Sequence, residues 1–253
     1  IRESTGTDRD LLAVAIAETG DAMAVGRQGI AVLREGGHWR SIETGTNQDL
    51  HGVTALPGGT LFALCGDKGI LRYWNGKTAE PMNPDTQADL TGVAFGPHVG
   101  LVVAGRDSTM IIVERAPKHL KTPQVDWTGL AISGRTIWAV GPGGQAVACR
   151  EDTCKTVKTG TTEPLYSVSA ASPETAMATG GHGIVLQLDD KGVKVLSFAQ
   201  KTNEAVPSVG SHPDLKSMAF VPFTDGYPMP HDVQSIYVSQ EPLTTVNLQQ
   251  SGE

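Results

Sequence analysis

The sequence predicts an all-β fold, a six-bladed β-propeller with about 40 residues in each blade. The first observation is an internal repeat, because the string TGTNQDL at 44–50 returns as TGTDRDL at 5–11 and as TGTTEPL at 159–165. The second is the regular spacing of short apolar runs, which begin near residues 10, 49, 89, 126, 164 and 214. The third is the 30 glycines, a number that indicates many tight turns.

The bulk composition limits the classes of partner. Hydrophobic residues make up 39% of the 253 residues and charged residues 19%, which predicts a single globular domain over 1–253. The net charge of −7 argues against non-specific nucleic-acid binding. No apolar run approaches the roughly 18 residues of a membrane-spanning helix. We therefore expect no nucleic acid, no membrane span and no cofactor.

Blade one shows the scheme that the other blades repeat. Its inner strand is predicted over 11–17, and three further strands follow over 22–26, 30–34 and 39–43. Glycines mark the turns between the second and third strands and between the third and fourth. Blades two to five keep this order, with inner strands GVTAL, GVAFG, GLAIS and SVSAA. Small residues recur in the second strands, as close packing of blade on blade requires.

Blade six is predicted to be irregular. Its inner strand is expected over 217–221, and the insertion FTDGYPMPHDVQ separates it from two further strands. No fourth strand follows. The segment 1–7 resembles 41–46 at the end of the first blade, so we expect 1–7 to complete the sixth blade. Closure of the ring removes the free sheet edge that would otherwise promote aggregation.

The cysteine spacing predicts a disulfide. Cys149 and Cys154 bracket four residues, and a hairpin turn there would place the two thiols opposite each other. The alternative is two unpaired thiols in a cytosolic protein. Cys65 lies in an apolar run and is predicted to be buried. A disulfide favours an extracytoplasmic location, periplasmic or secreted.

Acidic residues recur at the start of each blade and are expected to lie near one mouth of the channel. The set consists of Asp10, Asp49, Asp89, Asp126 and Asp214, with Glu163 in blade five. One interpretation is a ring that binds a cation or a basic partner, with these aspartates as weak metal candidates. The other is that each aspartate caps its own turn, which repetition alone favours.

Basic and aromatic residues provide candidate partner contacts. The turns between second and third strands carry Arg27, Lys68, Arg106 and His182, which suit an acidic peptide or phosphate, although a solvated face is the alternative. Trp127 is the candidate surface aromatic residue. The insertion in blade six adds Phe223, Tyr227 and Met229, either as a partner contact or as a loop folded over the ring.

One segment resembles a known family. The stretch AVGRQGIAVLREGGHWRSI at 24–42 is similar to the repeat of photosystem II stability and assembly factor-like propellers, in which Ala-Val-Gly, Gly-Ile, Asp-Gly-Gly and Trp follow the inner strand. Glu35 stands where the family has Asp, and later blades keep only the Ala-Val-Gly and Gly positions. The resemblance implies a binding or assembly scaffold without catalytic residues, commonly outside the bacterial cytosol.

The sequence therefore predicts a non-catalytic protein-binding or assembly module that acts through a propeller face. Its partner would be another protein, and the domain itself a monomer within a larger complex. One alternative is a carbohydrate-active hydrolase or glycan-binding propeller that uses two ring carboxylates. A second alternative is a metal-binding propeller with an ion at the channel mouth.

Overall fold

The chain forms antiparallel sheets that follow one another along the sequence. A computed structural model describes residues 3–113, 115–189, 193–195, 208–211 and 218–221. These residues form five four-stranded sheets and one two-stranded sheet. In each four-stranded sheet the strands are adjacent in chain order, as in the blades of a propeller. The all-β prediction is confirmed, whereas the count of six blades stays a prediction.

The strands of the five complete sheets, here called blades one to five, have the following bounds. Blade one contains β1 (Leu11–Ile16), β2 (Ala22–Gly26), β3 (Ala31–Glu35) and β4 (His38–Ile42). Blade two contains β5 (Leu50–Leu56), β6 (Leu61–Gly66), β7 (Leu71–Trp74) and β8 (Ala79–Pro81). Blade three contains β9 (Leu90–Gly96), β10 (Gly100–Gly105), β11 (Met110–Val113) and β12 (Lys118–His119). Blade four contains β13 (Gly129–Ser133), β14 (Thr136–Val140), β15 (Ala146–Arg150) and β16 (Thr153–Thr156). Blade five contains β17 (Leu165–Ala170), β18 (Thr175–Gly180), β19 (Val185–Asp189) and β20 (Val193–Val195).

The blades pack side by side through their first and second strands. The first strands of consecutive blades contact each other, from β1 to β5, β9, β13 and β17. The second strands are buried along nearly their whole length, and all five residues of β2 and of β14 are buried. Because both faces of such a strand meet a neighbouring blade, its sequence is a continuous run of apolar and small residues rather than an alternation.

The sixth sheet differs from the sequence prediction. It consists of β21 (Ser208–Ser211) paired antiparallel with β22 (Met218–Val221), and β21 contacts β17. The strand predicted over 217–221 is present, but a short strand precedes it and takes the place beside blade five. The blade start predicted near Asp214 lies outside the described residues and stays a prediction. The sequence analysis missed the strand beside blade five, because Ser-Val-Gly-Ser lacks the apolar run by which the other first strands were recognised.

The predicted disulfide is present. Cys149 and Cys154 face each other across β15 and β16, and their sulfur atoms are bonded. Cys149 is fully buried in the core between blades three and four, so the bond fastens the outer hairpin of blade four to that core. The Cys65 thiol is fully buried as predicted, and burial raises its pKa well above the usual range.

The N-terminal segment is fixed to blade one. The carboxylate of Glu3 accepts hydrogen bonds from Arg34 Nε at 2.7 Å and from Trp39 Nε1 at 2.8 Å. Val14 and Ile16 are 64% and 70% exposed, on strand β1, whose Ala13 and Ala15 pack toward blade two. This exposed apolar row is what a further blade would cover. Closure of the ring by 1–7 stays a prediction, because residues 1–2 and 222–253 lie outside the described ranges.

We expect Glu3 to remain ionised in acid far below the ordinary glutamate range. The hydrogen bonds from Arg34 and Trp39 lower the pKa of Glu3 to about 2. A depressed pKa in the folded state means that this contact stabilises the fold above the unfolded pKa and is lost as the pH falls toward 2. Carboxyl carbon NMR, with Glu3→Gln to assign the signal, measures the midpoint. A midpoint near 4.3 would contradict the contact.

Candidate functional site

The turns between second and third strands share one backbone conformation. In blades one, two, four and five the turn reads Gly-x-y-Gly, at 26–29, 66–69, 141–144 and 180–183. Its third residue is left-handed, with φ between 53° and 65° for Gln28, Lys68, Gly143 and His182. Asp107 takes the same position in blade three with φ of 54°. Side chains at this position are therefore presented on a repeated backbone geometry.

In blades one, two and four, two glycines of the turn are required by close approach, as blade two shows. A Cβ on Gly66 would lie 2.0 Å from the carbonyl oxygen of Asp49, at the start of the first strand of the same blade. A Cβ on Gly69 would lie 2.1 Å from the carbonyl oxygen of Thr86, in the linker to the next blade, and Gly69 has a φ of 69°. The turn is thus enclosed by its own blade and by the linker that follows.

Three of the repeated aspartates, Asp49, Asp89 and Asp126, bind the turn of the preceding blade. In each case a carboxylate oxygen accepts a hydrogen bond from the backbone amide of the left-handed turn residue. The distances are 2.7 Å from Gln28 to Asp49, 2.9 Å from Lys68 to Asp89 and 3.0 Å from Asp107 to Asp126. We call this contact the clasp, and the side of the ring that carries it the clasp face. Asp49, Asp89 and Asp126 therefore cap a turn, but the capped turn belongs to the neighbouring blade and not to their own, whereas the Asp10 carboxylate pairs with Arg27.

The threonine of the repeated TGT string forms a second half of the clasp. Thr44 Oγ1 donates to the carbonyl oxygen of Gly29 at 2.7 Å, and Thr159 Oγ1 donates to that of Gly144 at 2.6 Å. Both threonines are buried. A buried hydroxyl needs such a partner, and here the partner is again a turn of the preceding blade. In the copies at 44–50 and 159–165, the internal repeat therefore encodes a contact between the turn of one blade and the linker to the next.

Acidic and basic side chains alternate on the clasp face and pair with each other. Arg27 lies 3.2 Å from Asp10 and 3.8 Å from Asp49, and Arg106 lies 3.8 Å from Asp89. Further pairs join His51 to Asp67 and His182 to Glu163, both at 2.7 Å. The acidic ring and the basic arc are thus one ring of alternating charge rather than two separate surfaces.

A cleft opens on the clasp face between blades three and four. It has a volume of about 700 Å³ and is lined by two turns and the linker between them: Asp107, Ser108, Gln124, Val125, Asp126, Pro142, Gly143 and Gln145. Neither Asp107 nor Asp126 has an ion-pair partner among the described residues. The cleft therefore combines two carboxylates without an ion-pair partner with polar and apolar lining groups.

Trp127 does not lie where the sequence led us to expect it. The prediction of an exposed aromatic residue is wrong, because Trp127 is 0% exposed and packs in the core between blades three and four. It follows Asp126 as Leu50 follows Asp49 and as Leu90 follows Asp89, and both leucines are also 0% exposed. Aligning the repeats at the aspartate would have identified this as a core position.

The remaining candidate residues from the sequence are either exposed on the clasp face or outside the described ranges. Arg27, Lys68, Arg106 and His182 are exposed on the clasp face, as predicted. Asp214, Phe223, Tyr227 and Met229 lie outside the described residues. Within the described ranges no three His, Cys, Asp or Glu side chains come together as metal ligands. The helical segments there are 3₁₀ turns of three residues, and none could cross a bilayer.

Sequence reasoning missed a set of residues near the start of the first strands. The pairing of first and second strands is interrupted by a bulge near the clasp end, at Leu12, His51, Thr91 and Tyr166. A bulge redirects the side chain that it carries. Thr91 Oγ1 donates to the carbonyl oxygen of Trp127, and Tyr166 is 37% exposed. The residue type differs from blade to blade, so repetition gave no signal for this set.

Comparison with solved structures identifies the fold. The chain is similar to the WD40 β-propeller domain of Doa1, with a TM-score of 0.75, 12% identity and coverage of 96% of this chain and 83% of that one. It is similar to the RRP9 WD40 repeats, with a TM-score of 0.71, 12% identity and coverage of 83% and 72%. It is also similar to YCF48 from Cyanidioschyzon merolae, with a TM-score of 0.63, 12% identity and coverage of 82% and 75%.

These similarities establish a β-propeller and no more, since identity of 12% supports the fold alone. No family model matches the sequence. No curated protein sequence matches it either.

We expect the clasp to contribute measurably to stability. Asp89→Ala removes the acceptor for the Lys68 amide and should lower the free energy of unfolding by about 1 kcal/mol, the usual net contribution of such a hydrogen bond. Asp89→Asn keeps an acceptor oxygen and serves as the matched control, with an expected loss below about 0.5 kcal/mol. Urea denaturation measures both variants. Equal losses would show that the amide contact contributes nothing.

Proposed function

We propose that the protein is a non-catalytic binding module that recognises another protein through the clasp face. The main observation behind this proposal is the repeated turn between second and third strands. One backbone geometry presents a different residue at the same position of each turn: Gln28, Lys68, Asp107, Gly143 and His182. The residues that hold the turns repeat, whereas the residues at the tips differ. A rigid scaffold with different side chains at equivalent positions is typical of a recognition surface.

The contacts beneath the tips support this proposal. The clasp attaches the turns of blades one, two and three to the next blade, as in the contact of Asp49 with Gln28. Most repeated charges are already paired within the protein, including Arg27 with Asp10. Because the turns are attached at both ends, a partner would bind them without a large cost in ordering the backbone.

Propeller similarity is compatible with this function. WD40 propellers such as those of Doa1 and RRP9 are among the structures that the chain resembles, and this similarity supports the propeller scaffold that the proposal requires. The photosystem II assembly factor-like resemblance at 24–42 points to the same class of activity. Function is nevertheless a property of the site rather than of the fold, so the face itself must be tested.

The alternatives have less support. A glycoside hydrolase needs two carboxylates in a pocket, with aromatic platforms for the sugar. The cleft offers Asp107 and Asp126, but no aromatic residue lines it. A metal-binding propeller would need several aspartates converging on the channel, whereas Asp49, Asp89 and Asp126 each bind a turn amide.

We also propose an extracytoplasmic location. The support is the Cys149–Cys154 disulfide in the outer hairpin of blade four. Disulfides persist in oxidising compartments and are rare in a reducing cytosol.

Site-specific photo-cross-linking in intact cells of the source organism tests the proposal. A photoreactive amino acid replaces Gln28, Lys68 or His182 at the tips, and Lys155 or Thr156 on the outer strand of blade four as matched controls. We expect one protein to be cross-linked from the tips and not from β16. Mass spectrometry of the same samples reports whether Cys149 and Cys154 are joined.

Three results would count against the proposal. Adducts from β16 alone would place recognition on the outer edge of the ring. No protein adduct from any position would remove the support for a protein partner. Reduced Cys149 and Cys154 in freshly quenched cells would contradict the extracytoplasmic location.

A further inference from the structure

The ring of alternating charge on the clasp face has one gap. Elsewhere on that face, each carboxylate at a first-strand start or in a turn has a basic partner. The pairs are Asp10 and Asp49 with Arg27, Asp67 with His51, Asp89 with Arg106, and Glu163 with His182. Asp107 and Asp126 are the exceptions in the described part of the clasp face, and they lie at the boundary of blades three and four.

The gap has a cause in the sequence. The turns of blades one, two, three and five carry Arg27, Lys68, Arg106 and His182. The corresponding turn of blade four reads Pro-Gly-Gly and supplies no cation. Arg106 is adjacent to Asp107 in sequence, but its guanidinium pairs with Asp89 on the side of blade two. The basic residue that would pair with Asp107 and Asp126 is therefore absent.

The cleft lies at this gap. The Asp107 amide donates to the Asp126 carboxylate at 3.0 Å, which fixes the two acidic residues beside each other. Ser108, Gln124 and Gln145 add hydroxyl and amide groups to the lining, which also includes Pro142. These groups surround a cavity of about 700 Å³, within the range of sites that receive a ligand or a side chain.

We propose that this cleft binds an arginine or lysine side chain of the partner protein, in the place of the basic residue that blade four lacks. The inference rests on the proposed function and specifies the chemistry of its partner. Two carboxylates favour a cation, and neutral oxygen acceptors complete the hydrogen bonds of an ammonium or guanidinium group. A bound basic residue would restore the alternation of charge around the ring.

The shape of the cleft favours a side chain over a bare metal ion. The described residues provide no cluster of three acidic, histidine or cysteine ligands there, and the cavity is much larger than a single ion. Nucleic acid is disfavoured because the cleft and the whole chain, with its net charge of −7, are acidic. A basic side chain on a protruding loop of a partner protein suits both the size of the cavity and its negative charge.

Selection from a random peptide display library against the immobilised full chain tests the proposal. Selected peptides are synthesised, and their affinities are measured for the wild type and for Asp107→Asn/Asp126→Asn. Asparagine tolerates the left-handed backbone of residue 107 and retains the acceptor at 126, so the clasp is preserved. Asp10→Asn/Asp49→Asn is the matched control, with the same change in charge on the same face.

We expect the selected peptides to contain arginine or lysine and to bind Asp107→Asn/Asp126→Asn about tenfold more weakly than the wild type, because two ion pairs are lost. Replacement of the basic residue by citrulline or norleucine should give a similar loss, and affinity for the control variant should change less than about twofold.

Two results would overturn the inference. Peptides that bind both variants as tightly as the wild type would place the binding site elsewhere and leave the proposed protein-binding function standing. Failure to select any peptide, while the photo-cross-linking from the tips also captures no protein, would count against the cleft and against the protein-binding function together.

Discussion

The hydrogen bond between a turn amide in one blade and an aspartate carboxylate at the start of the next is the contact on which this architecture depends. Blades one to four are joined by three such bonds, from Gln28 to Asp49, from Lys68 to Asp89 and from Asp107 to Asp126. Each bond connects residues about 20 positions apart in sequence and two sheets in space. The order of the blades and the shape of the clasp face follow from the same contact.

The clasp also distinguishes residues that hold the blades together from most of those available for recognition. The turn glycines, the threonines Thr44 and Thr159 and the three clasp aspartates contact a neighbouring blade or linker, and a change in any of them alters that contact. Asp126 has both roles, because its carboxylate also lines the cleft. The side chains at the turn tips are not needed for the clasp, whose donors are backbone amides, and they differ from blade to blade. The residues at the bulges also differ, although Thr91 contacts the neighbouring blade through the carbonyl oxygen of Trp127. Recognition on this face therefore varies without a change in the scaffold, as is usual for loops held on a rigid core.

Much of the fold follows from periodicity in the sequence, because each blade repeats a local pattern of apolar runs and glycine turns. The strands of blades one to five and the Cys149–Cys154 pair could be predicted from such local patterns. The interpretation of Trp127 failed because that residue was considered alone rather than aligned with Leu50 and Leu90. Three features depend on how two blades pack against each other: the partner of each aspartate, the pairing of acidic with basic residues, and the cleft. The sequence of a single repeat carries no information about that packing.

Native-state hydrogen exchange of the turn amides tests the clasp most directly. The Gln28, Lys68 and Asp107 amides donate to aspartates, whereas Gly143 has the same backbone conformation but Pro164 at the position of the aspartate. After correction for intrinsic rates, the three clasped amides should exchange at least about tenfold more slowly than the Gly143 amide. Equal rates at all four positions would show that the aspartates do not hold the turns and would contradict this account.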